Sequence, residues 1–354
     1  MSGFLDKRFG GLVPYVPGEQ PRERKYIKLN TNESPFPPSE KAIEAAAEAA
    51  KTLMLYPDPT YKALSEAFAD DVGVRPGNVI PANGSDEILD LAFSAFCGED
   101  TGAVFPEVTY GFYSVFARKN GIIYEEIPLK NDFSIDPDDY ISVGKTVFIA
   151  NPNAPTGLFL PLEDVERIVA SNPKNVVVID EAYIDFGGES AVTLIGKYEN
   201  LLVTRTFSKS RSMAGARLGF GIASEKLIAD LNTIRFSTNP YNVNSMTAAA
   251  GIGSLADCGY FKKNRDTIIS NRALLTSKLR SLGFRTTDSK TNFVFAESDK
   301  IHGAELYKRL KEKGILVRHF DRQGIDDFVR ITVGTEEQIN VLADAIKDIL
   351  EEMK

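Results

Sequence analysis

The stretch Leu201-Leu-Val-Thr-Arg-Thr-Phe-Ser-Lys209 runs on through Ser210-Arg-Ser-Met-Ala-Gly-Ala-Arg217-Leu-Gly-Phe220. It reads as an apolar strand ending in hydroxyl residues and a lysine, followed by a glycine-bearing segment with an arginine. Apolar runs of this kind suit strands buried on both faces. A lysine and an arginine just beyond such a strand suit a covalently held, phosphate-bearing ligand. Taken alone, Lys209 reads more plainly as a solvated loop lysine, so the rest of the chain decides. Two further runs repeat the pattern: Asp180 follows Val176-Val-Val-Ile179, and the turn Asn151-Pro-Asn-Ala-Pro-Thr-Gly157 follows Val147-Phe-Ile-Ala150. In parallel sheets, sites form outside the carboxyl ends of the strands, so three strands deliver polar groups to one edge.

Working outward, short apolar strands alternate with amphipathic helices from Val79 to about Ile222, which predicts an α/β fold with a mostly parallel sheet covered on both faces. Before this lies an arm, residues 1–38, carrying Pro14, Pro17, Pro21, Pro35, Pro37 and Pro38. It reads as an extended segment of the kind that packs on a neighbouring subunit. Ser39 caps a helix expected through about Leu53, and a second helix from about Pro59 stops at Gly73. Residues 39–259 form the expected large domain and 260–354 a smaller C-terminal α/β domain. The last helix opens on Thr335-Glu-Glu-Gln338, a capping-box pattern, and is expected to bury Ile339, Leu342, Ile346 and Leu350.

Composition narrows the class. At 354 residues, 43% hydrophobic and 25% charged, the chain has material for two cores. A net charge of −8, with no basic cluster interleaved with aromatics, argues against nucleic acid. Met1-Ser-Gly-Phe-Leu-Asp-Lys-Arg8 lacks the apolar core of a signal peptide, and no apolar run reaches membrane-spanning length, which points to a cytoplasmic protein without membrane contact. Cys97 and Cys258 read as free buried thiols, and His302 and His319 lack metal-ligand spacing, so no metal is expected.

The motifs Asn83-Gly-Ser-Asp-Glu87, Tyr110-Gly, Asn151 to Gly157, Asp180-Glu-Ala-Tyr183, Arg205-Thr-Phe-Ser-Lys209, Arg217-Leu-Gly-Phe and Arg330-Ile-Thr-Val-Gly334 resemble, in order, those of the fold-type-I pyridoxal-phosphate-dependent aminotransferases. Within these the chain is most similar to the histidinol-phosphate branch, from about Leu12 to the C-terminus. The resemblance implies pyridoxal 5′-phosphate held covalently by Lys209, which also shuttles the substrate's α-proton. Asp180 would face the pyridine nitrogen and Tyr183 the ring oxygen O3′, while Tyr110 would stack on the ring. Read alone, Asp180 is better taken as a helix cap and Tyr110 as a core tyrosine.

For the phosphate, Gly84, Ser85 and Asp86 open a helix, where free N–H groups and the dipole favour an anion. Thr206 and Ser208 add hydroxyls and Arg217 a guanidinium fork. By resemblance, Tyr56 reaches the phosphate of the other subunit, which implies a homodimer with shared sites. The family's asparagine before Pro-Thr-Gly is replaced here by Ala154, and Asn153 is the candidate substitute. Arg330 matches the clamp for a substrate carboxylate, and Arg318 and Tyr15 match positions around a distal anion. The implied reaction is ping-pong amino exchange between histidinol phosphate and 2-oxoglutarate (imidazole acetol phosphate and glutamate) in histidine biosynthesis. The alternatives are an aromatic amino acid aminotransferase and a threonine-phosphate decarboxylase, a lyase.

Overall fold

In the computed structural model, residues 4–21 and 23–353 are described; the first three residues and Arg22 of the expected arm, and Lys354, lie outside them. Ten helices are found among the described residues: α1 (Glu40–Ala49), α2 (Lys62–Val72), α3 (Ser85–Phe96), α4 (Phe112–Lys119), α5 (Leu162–Ser171), α6 (Glu225–Thr238), α7 (Ser245–Leu255), α8 (Cys258–Ser281), α9 (Gly303–Glu312) and α10 (Glu336–Glu352). The strands are β1 (Ile27–Lys28), β2 (Val79–Asn83), β3 (Ala103–Pro106), β4 (Tyr124–Ile127), β5 (Thr146–Ala150), β6 (Val177–Asp180), β7 (Leu201–Thr206), β8 (Leu218–Ala223), β9 (Arg285–Thr286), β10 (Phe293–Glu297), β11 (Ile315–Leu316), β12 (Arg318–His319) and β13 (Val329–Thr332).

The large sheet runs β2-β8-β7-β6-β5-β3-β4, parallel throughout except β8, which is antiparallel to both neighbours. Its central strands carry apolar runs, residues 147–150, 177–179 and 201–203, because both faces are covered. Val147, Ile149, Val177, Ile179, Leu201 and Val203 join a cluster with Leu64 and Phe68 of α2, Ile168 of α5 and Ala250 of α7. The intervening Phe148, Val178 and Leu202 join a second cluster with Leu89 and Phe93 of α3, Tyr113 and Phe116 of α4 and Leu231 of α6. Each such side chain contributes about 1.5–3 kcal/mol on leaving water. The smaller sheet, β12-β13-β10-β9, is antiparallel, and its core includes Phe293, Ile331, Leu275 of α8, Leu306 of α9 and Ile346 of α10.

Local signals act as their chemistry dictates. The Ser39 hydroxyl accepts the Ala42 N–H, Gly73 ends α2 in the left-handed region at φ 76°, and Thr335 and Gln338 cap α10 reciprocally. Three expectations change: the end of the first helix, the burial of Leu350 and the burial of the two cysteines. The first helix stops at Ala49 and tightens into a 3₁₀ turn over Ala50–Thr52 instead of reaching Leu53. Ile315 to His319 forms two short strands, β11 pairing with β1 and β12 with β13. Leu350 is half-buried, and Cys258 is exposed while Cys97 is half-buried, so neither thiol is in the core although both are free. Within the chain, Glu19 of the arm engages Tyr307 and Lys311 of α9, and β1 adds parallel to β11.

Candidate active site

The carboxyl ends of β2, β3, β5, β6 and β7 all point to one edge of the large sheet, and β8, running the other way, begins there. Between them lies a cavity of about 140 Å³ lined by Ser85, Asp86, Tyr110, Ala154, Asp180, Tyr183, Thr206, Ser208, Lys209 and Arg217 among others. A larger cleft of about 1150 Å³ elsewhere on the surface includes, of the candidate site residues, only Thr206. The chemistry therefore belongs to the smaller one.

Asp180 ends β6 and is buried. Its Oδ1 accepts from the Thr204 hydroxyl at 2.8 Å and its Oδ2 from the Tyr113 hydroxyl at 3.2 Å. Thr204 is its register partner on β7, so the sheet itself aims this bond. Burial pushes the Asp180 carboxyl up to about 6, the nearby Asp86 charge adds to that, and the two hydroxyl bonds oppose it. With no cation bonded to it among the described residues, this carboxylate suits a protonated ring nitrogen.

At the opposite side of the cavity α3 opens at Ser85 without a side-chain cap, leaving backbone N–H groups for an anion. Its approach to β8 requires glycine: a Cβ on Gly219 would lie 2.3 Å from the Ser85 nitrogen. Gly84 has φ 82°, and a Cβ there would sit 2.5 Å from Arg217 Nη2. Arg217 donates to Asp86 Oδ2 at 2.8 Å and to Ser208 Oγ at 3.4 Å, and the Thr206 hydroxyl donates to Ser208 Oγ at 3.0 Å. Helix amides, hydroxyls and a guanidinium at one end, with an isolated carboxylate at the other, fit a phosphate-bearing heteroaromatic cation. Tyr110, whose hydroxyl donates to Asp86 Oδ1 at 2.7 Å, forms part of the wall.

Lys209 lies three residues past β7, with its Nζ 5.8 Å from the centre of the Tyr183 ring and 3.4 Å from the Thr31 carbonyl oxygen. Arg330 of β13 is sandwiched between Phe293 and Phe320, at 5.2 and 5.5 Å. It donates to the Asn30 carbonyl at 3.2 Å, but its buried Nε has no partner and no carboxylate pairs with it among the described residues. Burial lowers its pKa from the usual guanidinium value. Arg318 donates to the Val16 and Pro17 carbonyls, and Tyr15 stacks on Phe112 at 4.1 Å, with both arginines within electrostatic reach of its hydroxyl.

Two candidates stand apart. Asn153 does not line the cavity: its Oδ1 accepts from Thr109, and its Nδ2 donates to the Val108 carbonyl and to Thr156, so the turn consumes its polar groups. Ala154 faces the cavity instead. Tyr56 is 82% exposed and stacks on Tyr241, away from this chain's own cavity. Sequence reading missed Tyr113, Thr204 and Asn32. The first two have ordinary core spacing, and Asn32, whose amide donates to the Tyr183 hydroxyl at 2.8 Å, sits in a proline-rich arm.

A lysine, a buried carboxylate and a helix N-terminus with hydroxyls and a guanidinium line one cavity, a set suited to group transfer. The chain belongs to the family of class I and II aminotransferases, whose pattern matches residues 24–346. It is 46% identical over 352 residues to histidinol-phosphate aminotransferase of Brachyspira hyodysenteriae, covering 99% of each chain. The crystal structure of the histidinol-phosphate aminotransferase from Clostridium acetobutylicum is similar with a TM-score of 0.85 at 27% identity, covering 92% of this chain and 99% of that one. The Sinorhizobium meliloti enzyme, solved in complex with pyridoxal-5′-phosphate, shares the fold with a TM-score of 0.91 at 23% identity, covering 100% and 99%.

Proposed function

We propose that this enzyme exchanges an amino group between histidinol phosphate and 2-oxoglutarate, a step of histidine biosynthesis, using pyridoxal phosphate. The observation that carries the substrate side is Arg330, a partly buried guanidinium whose enclosed Nε has no partner and which no carboxylate pairs with among the described residues. An enclosed cation of this kind calls for an anion from outside, and a planar fork suits a carboxylate bidentately. Arg318 and Tyr15 then serve the distal anion, which is a carboxylate in glutamate and a phosphate in histidinol phosphate.

When bound, pyridoxal phosphate supplies an electron sink for a carbanion at the substrate's α-carbon. Lys209 holds the ligand and its Nζ takes the α-proton. Asp180 keeps a proton on the ring nitrogen by offering it a buried negative charge. Tyr183 donates a hydrogen bond to the ring oxygen, and Tyr110 covers one face. Ser85, Asp86, Thr206, Ser208 and Arg217, with the Gly84 turn, seat the phosphate.

Residues 39–259 and 260–354 serve as large and small domains on this reading, with 1–38 as an arm, and the free thiols suit a reducing cytoplasm. The working unit is a homodimer in which Tyr56 completes the partner's phosphate seat. Its support is the exposed run Leu53, Met54, Leu55 and Tyr56, each more than half exposed, beside Tyr241. Sedimentation should return twice the chain mass, and mixing Tyr56→Ala with Lys209→Ala chains should restore one intact site per dimer. A monomer, or no gain on mixing, rejects this placement.

A single-turnover titration tests the reaction. Histidinol phosphate and glutamate should each bleach the visible absorption of the holoenzyme in one half-reaction. Bleaching by phenylalanine alone would assign an aromatic aminotransferase, and carbon dioxide from threonine phosphate would assign a lyase.

A further inference from the structure

The segment Leu29 to Asn32 touches three of the functional side chains in succession. The Asn30 carbonyl accepts from Arg330 Nη2 at 3.2 Å, the Thr31 carbonyl lies 3.4 Å from Lys209 Nζ, and Asn32 Nδ2 donates to the Tyr183 hydroxyl at 2.8 Å. The segment is pinned to the small sheet. Thr332 N donates to the Leu29 carbonyl at 2.9 Å, Asn32 N to Thr332 Oγ1 at 2.9 Å, and Asn292 Nδ2 to the Asn32 carbonyl at 2.9 Å. Asn32 is 1% exposed and adopts φ 56°, a left-handed conformation that asparagine tolerates better than most residues.

The direction of the Asn32–Tyr183 bond follows from Thr332. Its Oγ1 spends a lone pair on the Asn32 N–H, so its own proton goes to Asn32 Oδ1, 3.2 Å away. That leaves Nδ2 facing Tyr183. The Tyr183 oxygen therefore accepts, and its own proton has no acceptor among the described residues. We infer that Asn32 is a positioning residue which, oriented by Thr332, makes Tyr183 a one-way hydrogen-bond donor into the cavity. A hydrogen bond received at the phenol oxygen also strengthens the one its O–H gives. The role has weight here because Ala154 presents no donor to the cavity and Asn153 is committed to its turn.

This rests on the reading that Tyr183 serves the ring oxygen of pyridoxal phosphate, and the test separates the two. Asn32→Gly keeps the left-handed backbone and removes the amide; Asn32→Asp keeps shape and turn preference but offers Tyr183 an acceptor. Thr332→Val removes the hydroxyl that orients the Asn32 amide and accepts the Asn32 backbone N–H, while the Leu29 and Asn32 carbonyls keep their bonds to Thr332 N and Asn292. In each holoenzyme the pH midpoint of the visible absorption change of the lysine-bound ligand is measured, together with the dissociation constant of pyridoxal phosphate. Losing a donor at the ring oxygen leaves negative charge there less stabilised, so the neighbouring nitrogen keeps its proton to higher pH. Tyr183→Phe should raise the midpoint, Asn32→Gly should raise it by about half a pH unit, Asn32→Asp at least as far, and Thr332→Val by less. An unmoved midpoint in Tyr183→Phe would overturn the Tyr183 reading itself. A shift in Tyr183→Phe with none in Asn32→Gly or Asn32→Asp would overturn the role of Asn32 alone.

Discussion

Replacing Lys209 with alanine should abolish turnover, by on the order of 10⁴-fold or more, while the protein still folds and still binds pyridoxal phosphate without a covalent link. The structure separates these outcomes. Lys209 is half-buried and makes a single long hydrogen bond of 3.4 Å, to the Thr31 carbonyl, so its loss removes little that holds the fold. The proposed phosphate seat is α3, Ser208 and Arg217, whose own hydrogen bonds do not involve the lysine. Borohydride reduction followed by denaturation reads the covalent role directly: the chromophore should stay with the wild-type chain and leave the variant. Near-normal rates in Lys209→Ala, or retained chromophore, would remove Lys209 from the reaction.

Where a residue's role is local or periodic, the sequence already carried it. The runs ending at Ala150, Ile179 and Val203 are apolar throughout because helices cover both faces, and that pattern alone places Asn151, Asp180 and Lys209 at one edge. The helix opening at Ser85 was equally legible from Gly84 and the polar residues after it. What escaped were contacts made across long separations. Thr204 reads as a β-branched strand residue until the register sets it beside Asp180, and Tyr113 reads as helix core until α4 packs its hydroxyl against the same carboxylate. Asn32 sits among prolines in a segment without periodicity, and only pairing of that segment with β13 brings it to Tyr183. Asn153 failed in the opposite way, since one residue's shift in a turn decides whether a side chain meets the cavity or the turn itself.

Asp180→Asn should have opposite effects on the two forms of the protein. Burial lifts the Asp180 carboxyl from 3.8 to about 6, so the folded, cofactor-free protein binds a proton there more tightly than the unfolded chain does. The sign follows: this group's contribution to stability is present below about pH 4 and is lost as pH rises through about 6, leaving an ionised, buried carboxylate at neutral pH. A shift of that size corresponds to about 3 kcal/mol at most. Asparagine keeps the shape and cannot ionise, so the cofactor-free variant should resist denaturant better than wild type at pH 7.5. That advantage should shrink towards zero at pH 4. In the holoenzyme, on the proposed placement of Asp180, a cationic ring nitrogen opposite it would turn that liability into a paired contact. Removing one partner of a buried charged pair costs about 3–5 kcal/mol, which as lost transition-state stabilisation is roughly 10²–10⁴-fold in rate. Urea denaturation at the two pH values and single-turnover rates measure both arms. A variant less stable than wild type without cofactor at pH 7.5 would show that the Thr204 and Tyr113 hydroxyls already satisfy the carboxylate, and that no cation is needed to explain its burial.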